Sequence, residues 1–381
     1  MNARLLGILV VALIVIGGGA LWMYQKERAV QAPAVATLGD PLFGGLQAAN
    51  VAEIRIVEPG GKITLRRDGP RWVIVERGDF PADFAKVRNF VLAALALKTG
   101  QTDPIGPADR TRLRLDDPSA KEGGGTLVEF AAADGKPLAR LIVGRKYFKT
   151  TPEHPERAKA DGRFVLRPDA ENGAATAIIV ADPLDQAGTT PSLWIERRAL
   201  AASEPVSIDV RHADGDHWRL ERGPGSDAVW KLVGAKPGEK LTETTVLSIV
   251  AAAGGLDIAD IVEKDPQRVA KDLAKATVIT VVTRDGLTYT LQVGSPEAQK
   301  HYAVATIEGS LPEAREPVAG EKAEDAAARD KAFAGRIAAI RARQPSPQAM
   351  ARFAFLIPEH TLVDLTKKRA DLLEKPPAKK P

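Results

Sequence analysis

Residues Thr277 to Gly294 restrict the chain more than any other stretch. They read Thr-Val-Ile-Thr-Val-Val-Thr-Arg-Asp-Gly-Leu-Thr-Tyr-Thr-Leu-Gln-Val-Gly, two β-rich runs around Asp285-Gly286. Asp-Gly accepts the positive φ angles of a two-residue type I′ turn. With that loop, Val282 faces Tyr289, Thr280 faces Leu291 and Val278 faces Val293. One face is then largely apolar, and the hairpin must lie on a further layer. A looser copy occurs about 150 residues earlier, where Thr126–Phe130 leads through Asp134-Gly135 into Leu138–Gly144. The expected fold class is α+β: two tandem copies of an antiparallel hairpin sheet packed with a helix, behind one N-terminal transmembrane helix.

At 381 residues the chain can hold two domains with real cores. A net charge of +4 with both signs interspersed, and only 5% aromatics, does not point to nucleic acid, which wants clustered basic residues. The absence of cysteine excludes disulfides, thiolate metal sites and cysteine nucleophiles. Leu5 to Tyr24 is apolar throughout, and its 20 residues match a bilayer core of about 30 Å at 1.5 Å per residue. Trp22 and Tyr24 sit where interfacial aromatics belong. The run is long for a signal-peptide core, and Ala34-Val35-Ala36 lies far beyond its end, so a retained anchor is expected. The very short tail before it leaves the C-terminal part for export. The expected location is the bacterial inner membrane, single-pass, with that part in the periplasm.

The expected organisation is an anchor over 1–28, a linker over 29–50, repeats over 51–200 and 203–373, and a disordered tail over 374–381. The first repeat opens with strands Val51–Val57, Lys62–Arg67 and Arg71–Glu76. A helix follows, about Ala82 to Lys98, with Phe84, Val87, Val91 and Leu95 on one face. After the loop-rich stretch 101–125 come the hairpin, strands Arg163–Arg167 and Ala177–Val180, and a closing segment Pro191–Leu200. The second repeat follows the same plan. Strands Val206–Arg211, Trp218–Arg222 and Val229–Val233 precede a helix Glu243–Ala253 with Thr242 as N-cap. Then come the Thr277–Gly294 hairpin, Tyr302–Ile307, Phe353–Ile357 and Leu362–Leu372. Trp72 and Trp230 recur at one point in both, as core anchors. The second repeat also carries an insertion over 309–349, in which Glu321 to Arg343 reads as a surface helix.

Four short motifs mark this layout: Arg71-Trp72, Leu115-Asp-Asp-Pro118, Asp134-Gly135 with Val143-Gly144, and Arg197-Arg198-Ala-Leu200. With the anchor they resemble the membrane-anchored envelope proteins of the domain-of-unknown-function family 4340, over roughly Val51 to Leu373. The second repeat departs from the pattern, since Asp265-Pro266 precedes Leu273. The resemblance implies an auxiliary role beside ABC-type export or gliding systems, and it supplies no catalytic residues.

The best chemical candidate is His212-Ala-Asp-Gly-Asp-His217. A two-residue Asp214-Gly215 turn would set His212 and His217 about 5 Å apart on one face. With Asp214 or Asp216 as a third ligand they could hold Zn²⁺; the plainer reading is a solvated turn. Asp182 and Asp185 read as a helix start rather than an acid/base pair. Gly123–Gly125 lacks the Lys-Ser/Thr of a phosphate loop and reads as flexible loop. His154, His301 and His360 are scattered. In the insertion, Phe333, Ile337 and Ile340 form a narrow apolar stripe, available either to its own domain or to a partner's groove. The expected function is non-catalytic: binding or supporting an envelope membrane protein, such as an ABC-type transporter component, with the bilayer held through residues 5–24. No cofactor is implied. The alternative is a periplasmic enzyme or ligand-binding protein working on cell-wall sugars or peptides.

Overall fold

A computed structural model describes residues 38–150, 152–168, 175–223, 228–318 and 320–374. The expected anchor Leu5–Tyr24 and the tail beyond Glu374 lie outside the described residues. Among the described residues no helix is long and apolar enough to cross a membrane.

The chain is α+β with two antiparallel sheets. The first sheet takes β1 (Glu53–Glu58), β2 (Gly61–Asp68), β3 (Arg71–Ile74), β4 (Phe80–Pro81), β5 (Thr102–Pro104), β6 (Thr126–Ala131), β7 (Pro137–Tyr147), β8 (Gly162–Leu166) and β9 (Thr176–Val180). Helices α1 (Phe84–Ala96) and α2 (Pro107–Leu113) flank β5. The second sheet takes β10 (Pro205–Arg211), β11 (His217–Arg222), β12 (Trp230–Leu232), β13 (Asp260–Glu263), β14 (Thr277–Thr283), β15 (Thr288–Glu297), β16 (Lys300–Glu308) and β17 (Phe353–Pro358). Here α3 (Glu243–Gly254) and α4 (Pro266–Asp272) flank β13. Between β16 and β17 stand α5 (Ala323–Arg343), within the expected insertion, and α6 (Pro347–Arg352), across its end, and α7 (Glu359–Leu362) follows β17.

Strand order is β4-β3-β2-β1-β6-β7-β8-β9-β5 in the first sheet and β12-β11-β10-β14-β15-β16-β17-β13 in the second. Apart from β4, the two orders are the same when strands are counted along the chain. They also match residue by residue. Ile54, Leu65 and Ile74 lie across β1, β2 and β3, as Ile208, Leu220 and Leu232 lie across β10, β11 and β12. Trp72 and Trp230 each stand two residues before the last of these. In β7 the pair Gly144-Arg145 bulges opposite Phe164, and in β15 Gly294-Ser295 bulges opposite Tyr302. The α2 and α4 helices, seven residues each with proline first, end against these glycines. The N–H of Asp83 donates to Trp194 and that of Glu196 to Pro81; in the same way Thr242 donates to Leu372 and Glu374 to Lys240.

By compactness the described chain falls into two units. One holds 38–47, 93–127 and 139–185, with Leu113, Leu115, Ile142, Leu166 and Ala177 at its centre. Part of the expected linker belongs to it, since Pro41 bridges Lys98 and Leu42 is buried. The other unit holds 48–92, 128–138 and 186–374, so it unites the β1–β4 meander with all of the second sheet. Contacts inside it include the Phe80 and Phe355 rings, 6.2 Å apart, and the Arg197–Asp257 ion pair at 2.8 Å.

Several expectations need correcting. The Asp-Gly loops have three residues, not two. Thr283 N–H donates to Leu287 and Gly286 N–H to Thr283, with Gly286 at φ +82°, leaving Arg284-Asp285-Gly286 as the loop. Register therefore moves by one, and β14 buries Ile279 and Val281 rather than Val278, Thr280 and Val282. Ala133-Asp134-Gly135 and Ala213-Asp214-Gly215 form the same loop. On α1 the buried face is Val87, Phe90, Val91 and Ala94, each large side chain contributing about 1.5–3 kcal/mol, while Phe84 is exposed. The closing segments are single 3₁₀ turns, Pro191–Leu193 and Arg369–Leu372, rather than longer elements. The fully buried tryptophans are Trp194 and Trp218; Trp72 is buried, and Trp230 only half-buried.

Candidate functional site

The three-residue loop decides the fate of the histidine pair. Because Arg211 pairs with His217, while His212 bonds to Asp216 at the turn, the two imidazoles point to opposite faces of the β10–β11 hairpin. The shared face required for a two-histidine metal site is therefore not formed. Among the described residues no group of three or more His, Cys, Asp or Glu is placed to hold a metal ion. His217 Nε2 lies 3.0 Å from Asp209 Oδ2, and the Arg211 Nε lies 3.0 Å from the other oxygen of that nearly buried carboxylate. Asp209 sits in a row across five strands, Arg219–Asp209–Thr280–Thr290–Thr306, on the polar face of the second sheet.

His212, Asp214 and Asp216 instead fasten the chain's own closing segment. His212 Nε2 lies 3.1 Å from the Lys367 carbonyl, which can only accept, so this nitrogen carries the proton. The Trp218 indole N–H donates to the same oxygen at 2.7 Å. Lys368 Nζ lies 2.6 Å from Asp214 Oδ2, and the Arg369 N–H donates to Asp216 at 2.9 Å. Arg369 also forks onto both oxygens of Glu239, at 2.9 and 2.7 Å. The Lys368 ammonium holds Asp214 below its ordinary range, and Arg369 with the Lys236 N–H brings Glu239 to about 2.

The same strap recurs beside the first sheet with different chemistry. Glu58, four residues after Ile54 as His212 is four after Ile208, accepts from the Thr189 N–H at 2.9 Å and the Thr189 hydroxyl at 2.5 Å. The Trp194 indole donates to Gly188 at 2.8 Å. A hairpin tip bonded to the closing segment thus occurs beside both sheets, through a glutamate at one and a histidine with two aspartates at the other.

The remaining candidates are also held in the framework. Asp182 accepts from the Leu184 N–H in a turn where Leu184 is left-handed, and Asp185 meets Lys146 at 3.1 Å and Arg163 at 3.3 Å, so neither starts a helix. Gly123 and Gly125 are closely packed: a Cβ on Gly123 would lie 2.5 Å from Thr111 Cα and one on Gly125 2.3 Å from the Arg114 carbonyl oxygen. His301 bonds the Gly294 carbonyl at 2.7 Å; His154 and His360 do not join it. Of the stripe on α5, Ile337 (6% exposed) and Ile340 (4%) are buried and Phe333 is half-buried beneath the Arg336 guanidinium.

Sequence reasoning missed one latch. Asp285, taken as a turn residue, is only 5% exposed and accepts from Arg336 at 2.9 Å, while Arg336 also meets Glu204 at 3.0 Å. Burial pushes the Asp285 carboxyl up, against the pull of Arg336. The signal lay in Asp285 and Arg336 being 51 residues apart, which no local pattern links.

These features define a class: an α+β protein of two antiparallel sheets with one strand order, each closed by a strapped hairpin. The chain belongs to the family described as Domain of unknown function (DUF4340), whose model matches residues 72–276, more than half of its length. No curated protein and no solved structure matches the chain.

Proposed function

We propose that the protein is a tandem duplication of one α+β unit, anchored in the bacterial inner membrane by Leu5–Tyr24. Its folded part faces the periplasm, where it binds or supports an envelope complex, such as an ABC-type transport system, without catalysis. One observation carries the non-catalytic reading: the residues richest in chemistry, His212, Asp214 and Asp216, strap the closing segment, and Glu58 does the same at the matching position. Chemistry that a glutamate replaces in the other copy serves the fold. The 20-residue apolar run supports the anchor. An alkaline phosphatase fusion after Pro381 tests the topology: it should be active, and activity only from a cytoplasmic reporter would sink the reading. Affinity capture of the full chain from membranes should bring an ABC-type component with it; capture that is unchanged by detergent choice and contains none would refute the support role.

A further inference from the structure

The geometry points to the outer face of α1 as a membrane-resting surface, in contact with the lipid headgroup and upper acyl region of the bilayer that anchors the chain. This rests on the anchor proposed above. Phe84 (53% exposed) and Leu92 (50% exposed) lie at i and i+8, with Arg88 between them, all exposed. Phenylalanine and leucine beside arginine are the side chains an interfacial helix presents to lipid.

Two observations select this face. The first is a comparison between the copies. Val87, Phe90 and Ala94 are buried on α1 as Val246, Ile249 and Ala253 are on α3, which aligns the two helices. At the positions of Phe84, Arg88 and Leu92 the α3 helix carries Glu243, Leu247 and Ala251. The fold therefore accepts a glutamate and an alanine there, and packing does not explain Phe84 and Leu92.

The second is where the tether arrives. The first described residues pair with the segment directly after α1: Gly39 N–H donates to Thr99, Thr99 N–H to Asp40, and Leu42 N–H to Leu97. Only Gln25–Thr37, 13 residues, separate that point from the end of the apolar run. A segment of that length reaches at most about 45 Å fully extended. The α1 helix of 13 residues is itself about 20 Å long. The tether thus confines one end of α1 to within about 45 Å of the bilayer, which raises the effective concentration of the face at the membrane, so a few weak apolar contacts suffice to keep it down.

The chain has no cysteine, so single labels are unambiguous. Phe84→Cys, Leu92→Cys, Leu247→Cys and Leu13→Cys, each in the full chain carrying one nitroxide, are placed in lipid nanodiscs of mixed zwitterionic and anionic lipid, which reproduce a negatively charged leaflet surface. Accessibility to bilayer-dissolved oxygen is compared with that to an aqueous nickel chelate, after circular dichroism shows an unchanged melt. Labels at 84 and 92 should favour oxygen, as at 13, whereas 247 should favour nickel. If 13 favours oxygen while 84 and 92 behave like 247, the resting face is refuted and the anchor stands. If 13 favours nickel, the anchor fails and the inference falls with it. Labels at 84 and 92 shielded from both reagents would mean that protein, a second copy, covers the face, and would overturn the lipid assignment.

Discussion

The close approach of α2 and α4 to the two bulges predicts unequal costs for the same small substitution. A Cβ on Gly144 would lie 2.5 Å from the Leu113 carbonyl oxygen, 2.7 Å from Leu115 Cδ2 and 3.1 Å from the Arg114 carbonyl, where ordinary contact begins at 3.4 Å. A carbonyl at the end of a helix cannot swing aside as a side-chain tip can. Gly144→Ala must therefore push the last turn of α2 back by about 0.9 Å, disturbing Leu113 and Leu115 in the core they share with Ile142 and Leu166. Overpacking of that kind costs about 1–3 kcal/mol, offset by about 0.4–1 kcal/mol because alanine restricts the unfolded chain. Gly294→Ala meets the Asp272 carbonyl oxygen at 2.8 Å and that of Tyr302 at 3.2 Å, a smaller intrusion. Gly45→Ala meets nothing within 4 Å.

Thermal unfolding of the full chain, followed by circular dichroism, should rank the three variants. Gly144→Ala should melt lowest, by about 2–8 °C for 1–2 kcal/mol. Gly294→Ala should fall by less, and Gly45→Ala should match or slightly exceed the parent. If Gly144→Ala melts with Gly45→Ala, the helix does not press on the bulge, and one of the matching points between the two sheets is lost.

Ile340→Ala, which empties a buried site under α5, should cost about 2–4 kcal/mol in urea unfolding. No loss would mean that the stripe is free for a partner. Arg336→Ala strands the Asp285 carboxylate and should cost about 1–3 kcal/mol, with Asp285→Asn in the same chain restoring part of it in a double-mutant cycle. Glu239 is depressed from 4.5 to about 2, so its pairing with Arg369 contributes above the unfolded value and is lost as pH falls through the folded one. Glu239→Gln should therefore flatten the acid limb of the stability curve between those values and leave the slope near neutrality unchanged. Calorimetry with Zn²⁺ should show no heat that His217→Ala abolishes, because its imidazole and that of His212 face apart.

The α+β class with two antiparallel sheets was legible from Asp-Gly hairpins, the placement of Trp72 and Trp230, and the two Val-Gly pairs, because these carry backbone geometry as well as composition. Register was not, since a two-residue and a three-residue loop share the Asp-Gly signal and differ only in whether Arg284 and Ala213 join the turn. One residue of error turned every side chain of β14 over and brought two histidines together that the fold keeps apart. The short pieces β5, β13, α2 and α4 escaped for another reason. At three to seven residues they show no periodicity, and what fixes them is contact with β9, β17 and the bulges. The comparison of Asp265-Pro266 with Asp117-Pro118 failed likewise: Pro266 opens α4 as Pro107 opens α2.

Where the two sheets and their flanking elements agree, the fold explains the agreement: strand order, bulge, strap and the hydrogen bonds that join each helix start to a closing turn. Where they differ, the fold has no need of the feature, and differences are the places to look for function. The insertion between β16 and β17 is one, but its apolar side is turned inward, with Ile337 and Ile340 buried. The outer stripe of α1 is another, and it keeps Phe84 and Leu92 in solvent where α3 carries Glu243 and Ala251 and exposes Leu247 between them. Glu243 and Ala251 at the matching positions of α3 show that packing within the sheet does not account for Phe84 and Leu92. In the anchored chain proposed above, the tether arrives at the end of that helix, and the bilayer is then the surface closest to hand.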